Sequence, residues 1–255
     1  MKLLEINSLD LAVPGKNLIK NFNLTINNNE RWGVLGPNGI GKSTFLYAMM
    51  GLNQIHAGSI NICEKKLETY SAKSLAKVMG ILFQDYKDAF PITVMESVMA
   101  GRYPHMKSWS MYSNEDIKIV EEILELVSLS DKAYRYINTL SGGERRRVAV
   151  ATLIVQSPMI WLLDEPTNHL DMHYQISMLD LLIERVEKSN GALLMVLHDV
   201  NLLMRYCTHA ILMIDSNKII TGKVEEVINR ENLQILYNHP IKQITDNNKQ
   251  MFFPA

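Results

Sequence analysis

The run from Gly36 to Thr44, GPNGIGKST, constrains this chain more than any other stretch. It fits G-x-x-x-x-G-K-[ST], a loop whose glycines let successive backbone N–H groups turn inward. Its context fits too. Arg31 to Leu35 (RWGVL) reads as a short apolar strand, and Phe45 to Met50 as a helix that Gly51 can stop. Strand, loop and the positive end of a helix together make a cradle for phosphate oxygens. Gly36, Pro37, Asn38, Gly39, Ile40, Gly41, Lys42, Ser43 and Thr44 would form it. Lys42 would reach the terminal phosphates of the ligand, and the Ser43 hydroxyl would take one position on Mg²⁺.

Composition narrows the rest. A chain of 255 residues can bury a substantial core, as one domain or as one with an inserted subdomain. A net charge of −1 and a pI near 6.7 give no electrostatic reason to expect nucleic acid as a partner. Arg145, Arg146 and Arg147 are the densest basic cluster, and a solvated helix face accounts for them. Two cysteines, Cys63 and Cys207, fit a reducing compartment and suggest no disulfide framework. The opening MKLLEINSLDL carries charge early and does not read as a secretory signal. The longest apolar runs, such as Ala192 to Leu197, are too short to span a bilayer. We expect a soluble cytoplasmic protein, open to docking on a membrane partner.

From Leu3 to Ile26 apolar and polar residues alternate, interrupted at Pro14-Gly15 and ended by Asn27-Asn28-Asn29, a pattern of antiparallel strands. Ser59 to Cys63 is a short strand, Ala72 to Met79 a helix and Gly80 to Phe83 a buried strand. From Ile92 to about Leu140 the periodicity is helical, with Ile117, Val120, Ile123, Leu124 and Val127 on one face and Ser113 or Asn114 as N-cap. Strand and helix then alternate through Met159–Leu163, Tyr174–Val186, Ala192–Leu197, Val200–Tyr206 and Ala210–Ile214. Such alternation predicts an α/β fold with a mostly parallel sheet. The expected organisation is a single domain: a nucleotide-binding core over 1–84 and 141–255, an N-terminal antiparallel β subdomain within it, and an α-helical subdomain inserted at 85–140. The tail beyond Asp246 carries little signal.

Two further segments complement the cradle. Met159 to Asp164 (MIWLLD) is an apolar strand ending in an acid, followed at once by Glu165. Beside a phosphate loop, an acid at such a strand end holds Mg²⁺, and a second carboxylate can deprotonate an attacking water. Leu140 to Glu144 (LSGGE) places Ser141, Gly142 and Gly143 at a helix start, a second anion cradle. An ordinary N-cap explains the serine but not the paired glycines. One nucleotide does not need two cradles in one chain, so the second would serve the γ-phosphate of ATP bound to another copy.

With these residues in view, the chain resembles the ATP-binding subunit of an ABC transporter along nearly its whole length. GPNGIGKST matches Walker A, IWLLDE matches Walker B and LSGGE matches the family signature. Gln84 in ILFQD resembles the Q-loop glutamine, NHLD ending at Asp171 the D-loop, and His198 in MVLHD the switch histidine. The resemblance implies a P-loop NTPase core and a head-to-tail dimer with ATP between Walker A of one copy and the signature of the other. It makes Glu165 the catalytic base, sets Gln84 on Mg²⁺ or the attacking water and His198 on the γ-phosphate, and has Asp171 cross the interface. Ile92-Thr93-Val94, Glu96 and Gly101-Arg102-Tyr103-Pro104-His105, with NLIKNFNLTI and LYNHPI, resemble importers of iron chelates, haem and vitamin B12. The partners implied are transmembrane permease subunits on the cytoplasmic face of the cell membrane and, indirectly, a substrate-binding protein. Met95, Met99, Met106 and Met111 would suit a docking surface for the permease, or ordinary packing.

Three alternatives stand beside this reading. The chain has no internal repeat and no coiled-coil insert, which leaves a single-cassette, non-transport ABC ATPase of the iron–sulphur assembly type, or an exporter subunit. His169 and His173 have a zinc-like spacing, but Leu170 replaces the glutamate of H-E-x-x-H. The family's adenine-stacking aromatic is also missing, since Val13 stands about where it belongs. Stacking on a base contributes roughly 1–3 kcal/mol in nucleic-acid systems, so GTP should compete with ATP better than is usual for the family. Val13→Tyr is expected to restore the ATP preference in a competition ATPase assay; an unchanged ratio refutes the idea. Ile40 replaces a small loop residue, with little effect expected.

Overall fold

A computed structural model of the chain describes residues 1–84, 91–106, 112–168, 171–246 and 249–255, in two compact units, 1–69 with 192–255 and 70–191. The first unit begins with two long antiparallel strands, β1 (Lys2–Val13) and β2 (Lys16–Asn27). Alternation sets the buried Leu4, Ile6 and Leu11 opposite Ile26, Leu24 and Ile19. Then come β3 (Arg31–Leu35), α1 (Lys42–Met49), β4 (Ala57–Ile62) and the short β5 (Lys65–Lys66). β4 takes the other edge of β1, giving an antiparallel sheet in the order β2-β1-β4-β5. Phe22 meets Phe45 edge to face, ring centroids 5.6 Å apart, which packs this sheet against α1.

The second unit contains α2 (Ala72–Val78), β6 (Met79–Leu82), α3 (Val94–Ala100), α4 (Asn114–Leu126), α5 (Gly142–Gln156), β7 (Ile160–Asp164) and α6 (Met172–Lys188). β6 and β7 run parallel, and their ladder ends with Leu82 beside Leu163. α5 buries Val148, Ala149, Val150, Ala151, Leu153 and Ile154, so it is a core helix on which α3 and α4 pack. α4 begins at the expected Ser113 in a capping box with Asp116. The Ser113 hydroxyl and the Arg102 guanidinium both donate to the Asp116 carboxylate and hold its pKa down at about 2.

The GRYPH segment faces inward at two of its residues. Arg102 donates from Nη1 to the Val155 carbonyl at 2.9 Å, and His105 Nε2 donates to the Gln156 carbonyl at 2.8 Å. Gly101 precedes them with an ordinary helical φ of −62°. It is needed for close approach instead, because a Cβ there would sit 2.3 Å from the Thr152 carbonyl oxygen and 2.6 Å from Val155 Cγ2. Backbone cannot step aside as a flexible side chain can. Gly101→Ala is therefore expected to cost about 1–3 kcal/mol, a fall of several degrees in melting temperature; an unshifted melt refutes the contact.

The chain returns to the first unit as β8 (Ala192–Val196), α7 (Val200–Tyr206), β9 (His209–Met213), β10 (Ile219–Lys223), α8 (Val224–Val227) and α9 (Arg230–Tyr237). β3 has β8 and β9 as parallel neighbours, and β10 adds antiparallel to β9. The expected α/β class is thus found: parallel core strands apart from β10, antiparallel N-terminal strands, and helices over most of 94–156. A last hairpin, β11 (Ile241–Asp246) and β12 (Lys249–Pro254), was not legible in the tail. Its buried Phe252 is held by Asn201, which donates from Nδ2 to the Phe252 carbonyl at 3.1 Å and accepts from its N–H at 3.0 Å.

Candidate functional site

The phosphate loop leaves the C-terminal end of β3. Gly39 and Gly41 adopt φ of +73° and +111°, values that glycine alone takes without strain, and Lys42 begins α1 directly after them. Lys42 is 6% exposed, and its ammonium donates to the carbonyls of Gly36 at 2.8 Å and Pro37 at 3.1 Å. Pro37, Asn38 and Gly39 are exposed, while Gly36, Ile40, Ser43 and Thr44 are half-buried around the first turn of α1. A Cβ at Gly39 would meet nothing within 4 Å, so the loop's outer face has room for a ligand.

One residue here belongs to no motif and was missed in the sequence. Lys16 donates from Nζ to the Gly39 carbonyl at 2.8 Å and fastens the β1–β2 hairpin to the phosphate loop. Val13 pairs with Lys16 across the turn and is 37% exposed, so the residue standing in for the aromatic sits on that same hairpin. Beside β3, Leu197 donates its N–H to the Val34 carbonyl at 3.1 Å. His198 follows, exposed, just past β8, and Asp199 caps α7 by accepting from Asn201 N–H at 2.7 Å. Loop and histidine therefore leave the same end of two neighbouring parallel strands, where ligands of α/β sheets bind.

In the second unit, Gln84 and Glu165 lie just beyond the parallel ends of β6 and β7. Asp164, the last residue of β7, has no solvent exposure, and Glu165 is 8% exposed. Gln84 Nε2 donates to Glu165 Oε2 at 2.9 Å, and Asn168 Nδ2 donates to the same oxygen. Glu165 takes a φ of +48°, a left-handed backbone uncommon outside glycine, asparagine and aspartate. Asn168 also donates its N–H to the Glu165 carbonyl at 3.2 Å. The result is a carboxylate aimed by two neutral amides, an arrangement suited to orienting a water and taking its proton.

Ser141 is the N-cap of α5 in a full capping box: its hydroxyl accepts from Glu144 N–H, and Glu144 accepts from Ser141 N–H at 2.8 Å. The Lys132 ammonium and the Ser141 N–H hold the Glu144 carboxyl at about 2. Gly142 needs no glycine on the chain's own account, since a Cβ there would meet nothing within 4 Å and its φ is not left-handed. Gly143 is half-buried in the same turn. Asp171 caps α6, accepting from Tyr174 N–H at 3.1 Å.

The solvated face expected for the three arginines is corrected by the structure. Arg145 donates to the carbonyls of Leu140 and Asn138, and Arg147 to those of Val127 and Ser128 while lying over the Tyr174 ring. Arg146 is buried at 6% exposure and faces a ring of carbonyls. The signal was present in the helical period. Arg146 shares a stripe with Val150 and Leu153, four and seven residues on, and both are buried.

The donor chemistry fits the expected ligands. Taken each in its own unit, the Ser43 hydroxyl and the Asp164 carboxylate are hard oxygen donors of the kind Mg²⁺ takes. The glycine loop with its lysine at a helix start suits a triphosphate. His169, Met111 and the boundary at 85 lie outside the described residues. His173 is exposed and packs edge to face on Tyr174, and among the described residues no three His, Cys, Asp or Glu side chains gather as a metal cage.

Comparison with known proteins gives a consistent result. Residues 19–168 match the family model described as ABC transporter. The probable siderophore transport system ATP-binding protein YusV of Bacillus subtilis is 37% identical over 238 residues, covering 93% of this chain and 86% of that one. The hemin import ATP-binding protein HmuV of Escherichia coli O157:H7 is 34% identical over 250 residues, covering 96% and 95%. Among solved structures, a putative metal-chelate type ABC transporter in an inward-facing conformation superposes with a TM-score of 0.85 at 25% identity, covering 100% of this chain and 98% of that one.

Proposed function

This chain belongs to the ABC transporter family, and from that premise we propose that it drives import of a metal chelate, iron–siderophore or haem, through a membrane permease. It is an ATP-binding ATPase subunit. The observation that carries the chemistry is the Glu165 carboxylate gripped by Gln84 and Asn168 directly after the fully buried Asp164.

In this reading the amides of Gly36 to Thr44 wrap the phosphates, and Lys42 exchanges its two loop carbonyls for phosphate oxygens. Glu165 takes a proton from water as the oxygen attacks the γ-phosphorus, the bond to the β–γ bridging oxygen breaks, and ADP and phosphate leave. Gln84 keeps the carboxylate and the water aligned, and His198 faces the γ-phosphate. Ser43 and Asp164 are the residues that would hold Mg²⁺, which when bound screens phosphate charge. Ser141, Gly142, Gly143 and Asp171 serve a second copy of the chain, whose ATP they would close over.

Residues 85–140 are assigned to receiving the permease, with the remainder as the nucleotide-binding core. One surface of the second unit supports this: Lys73 donates to the Met106 carbonyl at 2.7 Å and lies over the ring of Tyr103, which is 59% exposed. Met95 and Met106 are half-buried, whereas Met99 is 7% exposed and belongs to the core. No helix among the described residues is long and apolar enough to cross a membrane, so attachment at the cytoplasmic face would run through the permease, with a substrate-binding protein upstream. A tagged pull-down from detergent-solubilised native membranes tests the proposal. A polytopic permease whose reconstituted ATPase responds to siderophores or haem is expected; recovery of soluble partners alone would refute the transport reading and leave the ATPase standing.

A further inference from the structure

We infer that Arg146 is a positioning residue that locks the catalytic base to the signature helix; the inference rests on the assignment of Glu165 as that base. Its guanidinium joins three stretches of chain. Nη1 donates to the carbonyls of Phe83 and, at 3.4 Å, Gln84; Nη2 donates to those of Asp164 at 2.9 Å and Glu165 at 2.7 Å; Nε donates to that of Pro166 at 3.1 Å. These five acceptors are main-chain oxygens at the exits of β6 and β7, where Gln84 and Glu165 stand.

The energetics explain why an arginine is kept there. A buried charge is costly unless its donors are met, and a planar fork with five N–H groups meets several fixed carbonyls at once. Lysine offers three donors from a single point and cannot span both strand exits. The Glu165 carbonyl is one of the oxygens held, and Glu165 is the residue with a φ of +48°. A left-handed backbone at a non-glycine residue persists only when its surroundings over-determine it. Arg146 supplies that constraint from α5, while Asn168 supplies it from the loop after β7. The side chain of Glu165 is then aimed by Gln84, whose own carbonyl Arg146 also holds.

The test is a double-mutant cycle. Arg146→Lys, Arg146→Gln and Glu165→Gln, alone and combined, are compared by steady-state ATPase, fluorescent-ATP binding and thermal melting. Arg146→Lys and Arg146→Gln are expected to lower kcat 10- to 100-fold with ATP affinity within twofold of native. In the Glu165→Gln background the same substitutions should have no further effect. Turnover within twofold of native, a parallel loss of ATP binding, or an undiminished loss in that background would each overturn the inference. Failure of both single variants to fold would assign Arg146 to stability alone and overturn it too. If Glu165→Gln itself turns over normally, the assignment of the base fails first, and the cycle shows which of the two was wrong.

Discussion

Glu165→Gln is expected to cut ATP turnover by about 10²- to 10⁴-fold, the usual worth of a positioned general base, while leaving ATP bound. The exchange is nearly isosteric. An amide oxygen in place of Oε2 still accepts from Gln84 and Asn168, so the aim of the side chain and the left-handed backbone survive and only the basicity is lost. Binding depends on the loop from Gly36 to Thr44, which the substitution leaves untouched. The variant should therefore accumulate as an ATP-bound dimer on size-exclusion chromatography, absent with ADP. A variant that turns over near the native rate would remove Glu165 from its role.

Gly142→Asp should be equally damaging to turnover and harmless to the fold. Gly142 is the first residue of α5, with room for a side chain. A carboxylate there complements the positive end of the helix and commonly stabilises by about 0.3–1 kcal/mol. The same charge would face the γ-phosphate that a second copy brings to this turn. The melting temperature should hold or rise while ATPase activity falls at least 100-fold and the ATP-dependent dimer disappears. Retained activity with an unchanged melt would show that the Ser141–Gly143 turn meets no phosphate.

The sequence disclosed most where chemistry and local geometry coincide. The phosphate loop, the two acids at the end of β7 and the Ser141 cap each occupy a few consecutive residues, and the buried strands β3, β7 and β8 announce themselves as apolar runs. The hairpin of β11 and β12 escaped because Ile241 and Phe252 are buried while Ile244, Met251 and Phe253 face outward, which blurs the alternation. Arg102 and His105 carried only a family resemblance in the sequence; that they are tethers is set by carbonyls over fifty residues further along the chain. Arg146 was misjudged for a different reason. Three adjacent charges suggest solvent, yet on a helix they fan out by about 100° each, so a helix with core on most sides must bury one of them.

The placement of Arg146 on α5 carries one more consequence. It lies five residues beyond Ser141, roughly 7–8 Å along the axis at 1.5 Å per residue, on the same rigid rod. In a head-to-tail pair, the N-terminal turn of that rod would meet the neighbour's nucleotide, while the next turn holds Glu165, the base for the water that attacks the chain's own. Each copy would then consult the opposite site before committing its own fuel. On that proposal the dimer would behave as an AND gate, with an ATPase that rises with a Hill coefficient approaching 2.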